Sequence, residues 1–125
     1  MGKKHRTDYE KDLIAALKKL PFPIYDKRHN LTIFLDDERS RSNQRRFEHI
    51  SRSYHKLTTK DLEVIPSEIV SRAKLKKDPS RKDTFNYYIL RKAENSYFVK
   101  ICIKIIDKKQ RTAKIKTIFT TKSLK

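Results

Sequence analysis

An α+β fold is predicted for this chain, with N-terminal helices packed on one face of a C-terminal antiparallel sheet of three to four strands. Two observations and the order in which they occur point there. Apolar residues near the start recur at helical spacing, as Leu13, Ile14, Leu17 and Leu20 do. From Thr84 to Thr121 the period drops to two, and β-branched and aromatic residues dominate. Helices first and strands last is the α+β order, not the alternation of a parallel βαβ protein.

Thr7-Asp-Tyr-Glu10 is a capping-box pattern, so the first helix runs from there to about Leu20, where Pro21 stops it. Phe22 to Tyr25 reads as an extended linker, and Leu31–Leu35 as a short strand at an edge of the main sheet. A second helix is expected from about Asp37 to Tyr54, with Phe47, Ile50 and Tyr54 as a narrow apolar stripe and Asn43 in line. At about 100° per residue, Arg45, His49 and Arg52 fall together on the opposite side, facing solvent or a groove beside the sheet. Leu57-Thr-Thr-Lys-Asp-Leu62 is a turn into a third helix with a threonine N-cap. Its buried side is Leu62, Ile65, Ile69 and Val70, and Pro66, which suits a first helical turn, divides it into two short pieces. Arg72–Lys82 holds six basic residues to one acidic and reads as a basic loop.

Three strands then follow, Thr84–Lys92, Ser96–Ile106 and Ala113–Thr121. Side chains alternate along a strand, so Tyr97, Val99, Ile101, Ile103 and Ile105 share one face, while Phe98, Lys100, Cys102, Lys104 and Ile106 share the other. In the last strand Ala113, Ile115, Thr117 and Phe119 alternate with Lys114, Lys116, Ile118 and Thr120. One face buries a core and the other carries lysines. The connections at 93–95 and 107–112 are polar and lack the Asn-Gly pair of a two-residue turn. Residues 1–30 form an N-terminal helix and linker ahead of an α+β unit at 31–125, and the whole is expected to be one compact domain.

The charge balance narrows the function. Among 125 residues, 32 are Lys or Arg and 15 are Asp or Glu, a formal net charge of +17. Such an excess opposes compaction unless a polyanion neutralises it, and nucleic acid is the natural partner. A membrane is not expected: no run approaches the ~20 apolar residues of a span, and the N-terminal MGKKHRTDYE has no apolar h-region, so no signal peptide is expected. Cytoplasmic residence is the expectation, compatible with delivery into another cell. Gly2 is the only glycine, which removes the phosphate-cradling loops of nucleotide enzymes and the elbow of Ser/His/Asp hydrolases. Cys102 is the only cysteine, so neither an internal disulfide nor a cysteine metal cluster can form. The four histidines lack metal-ligand spacing, and neither metal nor cofactor is expected. Asp36, Asp37 and Glu38 read as carboxylates favoured ahead of a helix.

Metal-free RNA cleavage is chemically open. It needs a base and an acid around the 2′-hydroxyl and the leaving 5′-oxygen, plus cations for the phosphorane charge. His49 or His55 could titrate near neutrality. Arg81, Lys82, Arg91, Lys100 and Lys116 could hold phosphate, and Thr117 or Thr120 could hydrogen-bond it. Arg45, Arg52, Lys76, Lys77 and Lys104 extend the cationic surface, and Tyr87, Tyr88 and Phe98 offer rings for stacking. The same residues also fit a plainer account, in which lysines are solvated, tyrosines are core and threonines simply favour strands.

The order of pieces resembles the phage-associated members of the barnase–EndoU–colicin–RelE-like superfamily of metal-independent RNases. The resemblance covers about Leu31 to Thr121: a short strand, the histidine-bearing "RRFEHISRSYH" (Arg45–His55), "LTTKDLEVIPSEI" (Leu57–Ile69), a basic loop, "TFNYYILRK", a long middle strand and the closing "IKTIFTT" (Ile115–Thr121). It implies His49 or His55 as general acid/base, Arg91 or Lys82 at the phosphate, and Thr117 or Thr120 as the late-strand hydroxyl. The implied activity is endonucleolytic cleavage of tRNA or another structured RNA by 2′-hydroxyl attack, leaving a 2′,3′-cyclic phosphate. A toxin of this kind implies an acidic inhibitor or immunity protein as partner. The competing expectation is a non-catalytic basic nucleic-acid-binding module of phage or plasmid origin. A basic protein that coats nucleic acid is a third.

Overall fold

The computed structural model describes residues 8–39, 45–52, 56–91 and 97–122. Expectations placed on Thr7, Asn43, Tyr54, His55 and the 93–95 connection lie outside them. The described chain is mixed α+β, with four helices and a curled six-stranded sheet. In chain order these are α1 (Asp8–Lys19), β1 (Ile24–Asp26), β2 (Leu31–Phe34), α2 (Arg46–Ile50), α3 (Thr59–Glu63), α4 (Ile65–Ser71), β3 (Lys74–Lys77), β4 (Thr84–Leu90), β5 (Phe98–Asp107) and β6 (Thr112–Thr121). The strand order is β1-β2-β6-β5-β4-β3.

The sheet is larger than its sequence suggests, and not purely antiparallel. The expected linker forms β1, antiparallel to β2. Strand β2 lies inside the sheet and runs parallel to β6, with Ile33 opposite Ala113. The expected basic loop contains β3, which pairs with β4 at the far edge. Lysine-rich edge strands are common because charge there discourages pairing with another chain. The α3–α4 reading holds: Thr58 caps α3 in a box with Asp61, and Pro66 sits in the first turn of α4. Val70, however, is exposed. Asp36, Asp37 and Glu38 are not helical. Their polar groups hold the start of α2 from outside, since the Phe47 amide donates to Asp37 Oδ1 (2.9 Å) and the Arg46 amide to the Glu38 carbonyl (3.1 Å).

One face of the sheet is covered and the other is open to the described elements. Ile33, Tyr87, Ile89, Val99, Ile101, Ile103, Ala113, Ile115 and Ile118 form one core with Leu13 and Leu17 of α1, Phe47 and Ile50 of α2, and Leu62, Ile65 and Ile69 of α3 and α4. Helix α1 therefore shares the core of the later segment. Asp26 is buried within this face, where Tyr87 donates its hydroxyl to the carboxylate and His29 Nδ1 lies 2.6 Å from it. Arg28 donates to the Ile69 and Ala73 carbonyls at 2.8 and 2.9 Å, tying the end of α4 to the β1–β2 turn.

A β-bulge corrects the expected alternation of the last strand. Cys102 pairs with Thr117 while Ile103 pairs with Ile115, so Lys116 is an extra residue on β6. A bulge of this kind re-aims the side chains beyond it. From there on Ile118 turns into the core, fully buried. Thr120, opposite Val99, shares that covered face, and Thr117 and Phe119 move to the open face.

Candidate functional site

The bulge builds one wall of a cleft of about 870 Å³ at the edge of the open face. Strand β2 pairs with β6 only as far as Lys114, and α2 occupies the edge beyond it, with Arg46 Nη1 donating to the Lys116 carbonyl at 2.6 Å. Phe47 and Ile50 turn under the sheet into the core. At about 100° per residue, Arg46 and His49 then fall on the flank of that apolar stripe and line the cleft. Arg45, the extended residue just before α2, and Arg52, beyond its C-terminal end, do not line it. The other walls are the β3–β4 turn, which brings Arg81 and Lys82, and the acidic strap, which brings Glu38 and Arg39. The floor is Thr84, Cys102, Lys104, Lys116 and Thr117.

The electrostatics of the cleft are strongly cationic. Six cationic side chains line the cleft: Arg39, Arg46, Arg81, Lys82, Lys104 and Lys116. Burial holds the Lys116 ammonium below the usual lysine range, and Arg46, Lys104 and Lys114 push it lower while Glu38 opposes them. A desolvated, repelled cation inside a cleft marks a candidate functional position. Burial pushes the Cys102 thiol up, so it is a packing residue of the floor. In the cross-strand row Asn86–Cys102–Thr117, Asn86 Oδ1 and Thr117 Oγ1 are buried without a hydrogen-bond partner among the described residues. Leaving such groups unsatisfied costs about 1–3 kcal/mol each.

The acidic strap is held in turn by cations. Glu38 Oε1 accepts from Lys114 at 2.8 Å, and its other oxygen lies 3.9 Å from Arg46. The Lys114 hydrogen bond holds the Glu38 carboxyl below its ordinary value, and the same bond raises Lys114. The stability from a depressed carboxylate is complete above its unfolded pKa of about 4.3 and is lost as pH falls through the folded value. Glu38→Gln is therefore expected to lower stability at neutral pH by roughly 0.2–1 kcal/mol, the range for an exposed pair. It should also flatten the decline below about pH 4, as thermal melts across pH would show.

Of the residues singled out in the sequence, His49, Thr117, Arg81, Lys82, Lys104 and Lys116 meet in this cleft. Others do not. Arg91 is buried on the helix side of β4, where Nε and Nη2 bond Asp61 at 3.1 and 2.9 Å. Thr120 lies on the covered face. Arg45 reaches Asp37 at 3.5 Å. Lys76 is on the open face but out at the β3 edge, and Lys77 alternates to the other face. Tyr87 is core, and Tyr88 is on the open face but only 3% exposed. Lys100 sits two residues along β5 from the cleft floor, over the Tyr88 and Phe119 rings. His55 is outside the described residues. Sequence reasoning missed Arg46, Glu38, Arg39 and Thr84; Arg46 was findable, since it stands three residues before His49 and shares a helix face with it.

Comparison with protein-family models, curated proteins and solved structures returns no match. No described helix is long and apolar enough to cross a membrane.

Proposed function

We propose that the cleft is the active site of a metal-independent endoribonuclease, cutting tRNA or another structured RNA. The observation that carries this reading is the meeting of His49 and an unpartnered Thr117 hydroxyl with six cations in one cleft. Cations alone would serve any polyanion binder, whereas an acid–base group beside them supplies chemistry. Glu38, held ionised by Lys114, takes the 2′-hydroxyl proton, and His49 gives a proton to the leaving 5′-oxygen. The 2′-oxygen displaces that leaving group at phosphorus and closes a 2′,3′-cyclic phosphate. Arg46, pinned to the β6 backbone, and Lys116 hold the phosphate, and the Thr117 hydroxyl, buried in the floor, turns toward the cleft to donate to a non-bridging oxygen.

The reading includes membership in the barnase–EndoU–colicin–RelE-like superfamily, supported by the order of elements and by a histidine-bearing helix beside a cationic sheet. It implies a toxin-like, phage-associated enzyme acting in a cytoplasm, restrained by an acidic inhibitor whose carboxylates would occupy the same cations. Incubating the protein with tRNA and a labelled single-stranded RNA in excess EDTA tests it on a denaturing gel. Discrete products are expected. Intact RNA, with a clear shift on a native gel, would instead leave a non-catalytic binding module.

Lys116 gives a separate check. Lys116→Met is expected to raise the melting temperature of the free protein, because a repelled and partly desolvated charge is removed. It should weaken RNA binding and reduce the slope of log affinity against log salt by about one.

A further inference from the structure

The open face beyond the cleft changes character along the strands. One cross-strand row past Asn86–Cys102–Thr117 lies Tyr88–Lys100–Phe119, and one row further lies Leu90–Phe98–Thr121. The rows are two residues apart, about 7 Å, close to the step between successive nucleotides in an extended strand. Phe98 and Phe119 are half-buried, and Leu90 is 53% exposed. Tyr88 lies beneath them and meets Phe98 edge to face, with ring centroids 6.3 Å apart. The Lys100 ammonium stands 5.7 Å from the Tyr88 centroid and 5.4 Å from that of Phe119.

We propose that Phe119 and Phe98, backed by Tyr88 and topped by Lys100, form a stacking subsite for unpaired nucleotides flanking the phosphate held in the cleft. The substrate is therefore single-stranded across the sheet. The proposal rests on the reading of the cleft as the RNA site and adds to it the form of RNA that fits. Continuity is the first argument, since the same strands that floor the cleft carry the rings outward. Charge complementarity is the second: Lys74, Lys76, Lys100 and Lys104 share this face by register, and cations interleaved with rings match a chain of phosphates interleaved with bases. A duplex fits poorly, because its base faces are stacked on one another and its deep groove is closed to side chains. A tRNA would be engaged at a loop. Lys100 exchanges its ring contacts for a phosphate, which leaves a ring face to the base.

The test is fluorescence binding of a 2′-O-methylated pentanucleotide carrying 2-aminopurine. Methylation blocks cleavage, so binding is read apart from turnover. Wild-type protein is expected to quench the fluorophore. Phe98→Leu and Phe119→Leu keep apolar bulk, so the sheet survives, but each should lower affinity about tenfold and reduce the quench. Phe98→Tyr and Phe119→Tyr should restore both. The paired duplex of the same sequence should be insensitive to all four changes. Equal affinity and quench in the Leu variants would overturn the subsite, as would binding of polyglutamate that weakens in the Leu variants just as the oligonucleotide does. Stacking without any cleavage of unmodified RNA would keep the subsite and remove the enzyme reading. Cleavage with no effect of the ring variants would do the reverse.

Discussion

His49→Ala is expected to lower RNA turnover by about 10²–10⁴-fold, the usual contribution of a positioned acid or base, with RNA affinity nearly intact. The fold should tolerate the change. Helix α2 is held by Phe47 and Ile50 in the core, by Arg46 on the Lys116 carbonyl and by Asp37 on the Phe47 amide. None of these contacts uses the imidazole. The loss should fall in kcat, because six cations remain to bind the phosphates, and one limb of the pH–rate profile should disappear with it. His29 supplies the control. It sits on the covered face against Asp26 and Tyr87, so His29→Ala should change stability and leave the pH–rate profile unaltered. An unchanged kcat in His49→Ala would remove the residue from the mechanism.

The second large effect concerns Arg91, which the sequence offers as a phosphate ligand. Its partner is Asp61, and the two side chains are 8% and 11% exposed. A buried ion pair adds little net stability over a neutral pair, but removing one partner strands the other and costs about 3–5 kcal/mol. Arg91→Met is therefore expected to destabilise by about that amount in urea unfolding, a large share of the roughly 5–15 kcal/mol of a typical domain. Adding Asp61→Asn should recover much of the loss. An asparagine oxygen can still accept from the Thr58 amide, which Asp61 does at 2.9 Å, and no uncompensated charge remains. The double variant should cleave RNA at the wild-type rate. A folded double variant without activity would return Arg91 to the site.

Much of this was legible in the residues. The period-two run of β5 identified Val99, Ile101 and Ile103 as core, and Pro66 with the Thr58 cap identified α3 and α4. The cationic character of the opposite face followed from the same alternation. Other features depend on partners that a single strand does not reveal. The stretch AKIKTIFTT alternates plausibly in either register, and only its pairing with β5 places the extra residue at Lys116. Strand β3 is too lysine-rich to read as a strand and exists because β4 offers it an edge. Tyr25 and Asp26 look like linker until β2 pairs with them and the Tyr87 hydroxyl finds the carboxylate. The acidic run 36–38 suggested a helix start. Its carboxylates instead reach Arg45 and Arg46, eight residues on, and Lys114 on the distant β6. The flank of α2 that meets the cleft likewise follows from where β2 stops.

Product chemistry tests the central proposal most directly. An RNA oligonucleotide would be digested in excess EDTA, beside a copy with one 2′-deoxy sugar at the cleavage position, and the products read by phosphorus NMR. The mechanism predicts a 2′,3′-cyclic phosphate terminus from the first oligonucleotide and no cut at that position in the second. Cleavage of the deoxy copy, a 5′-phosphate terminus, or intact RNA under conditions where it is bound would contradict it.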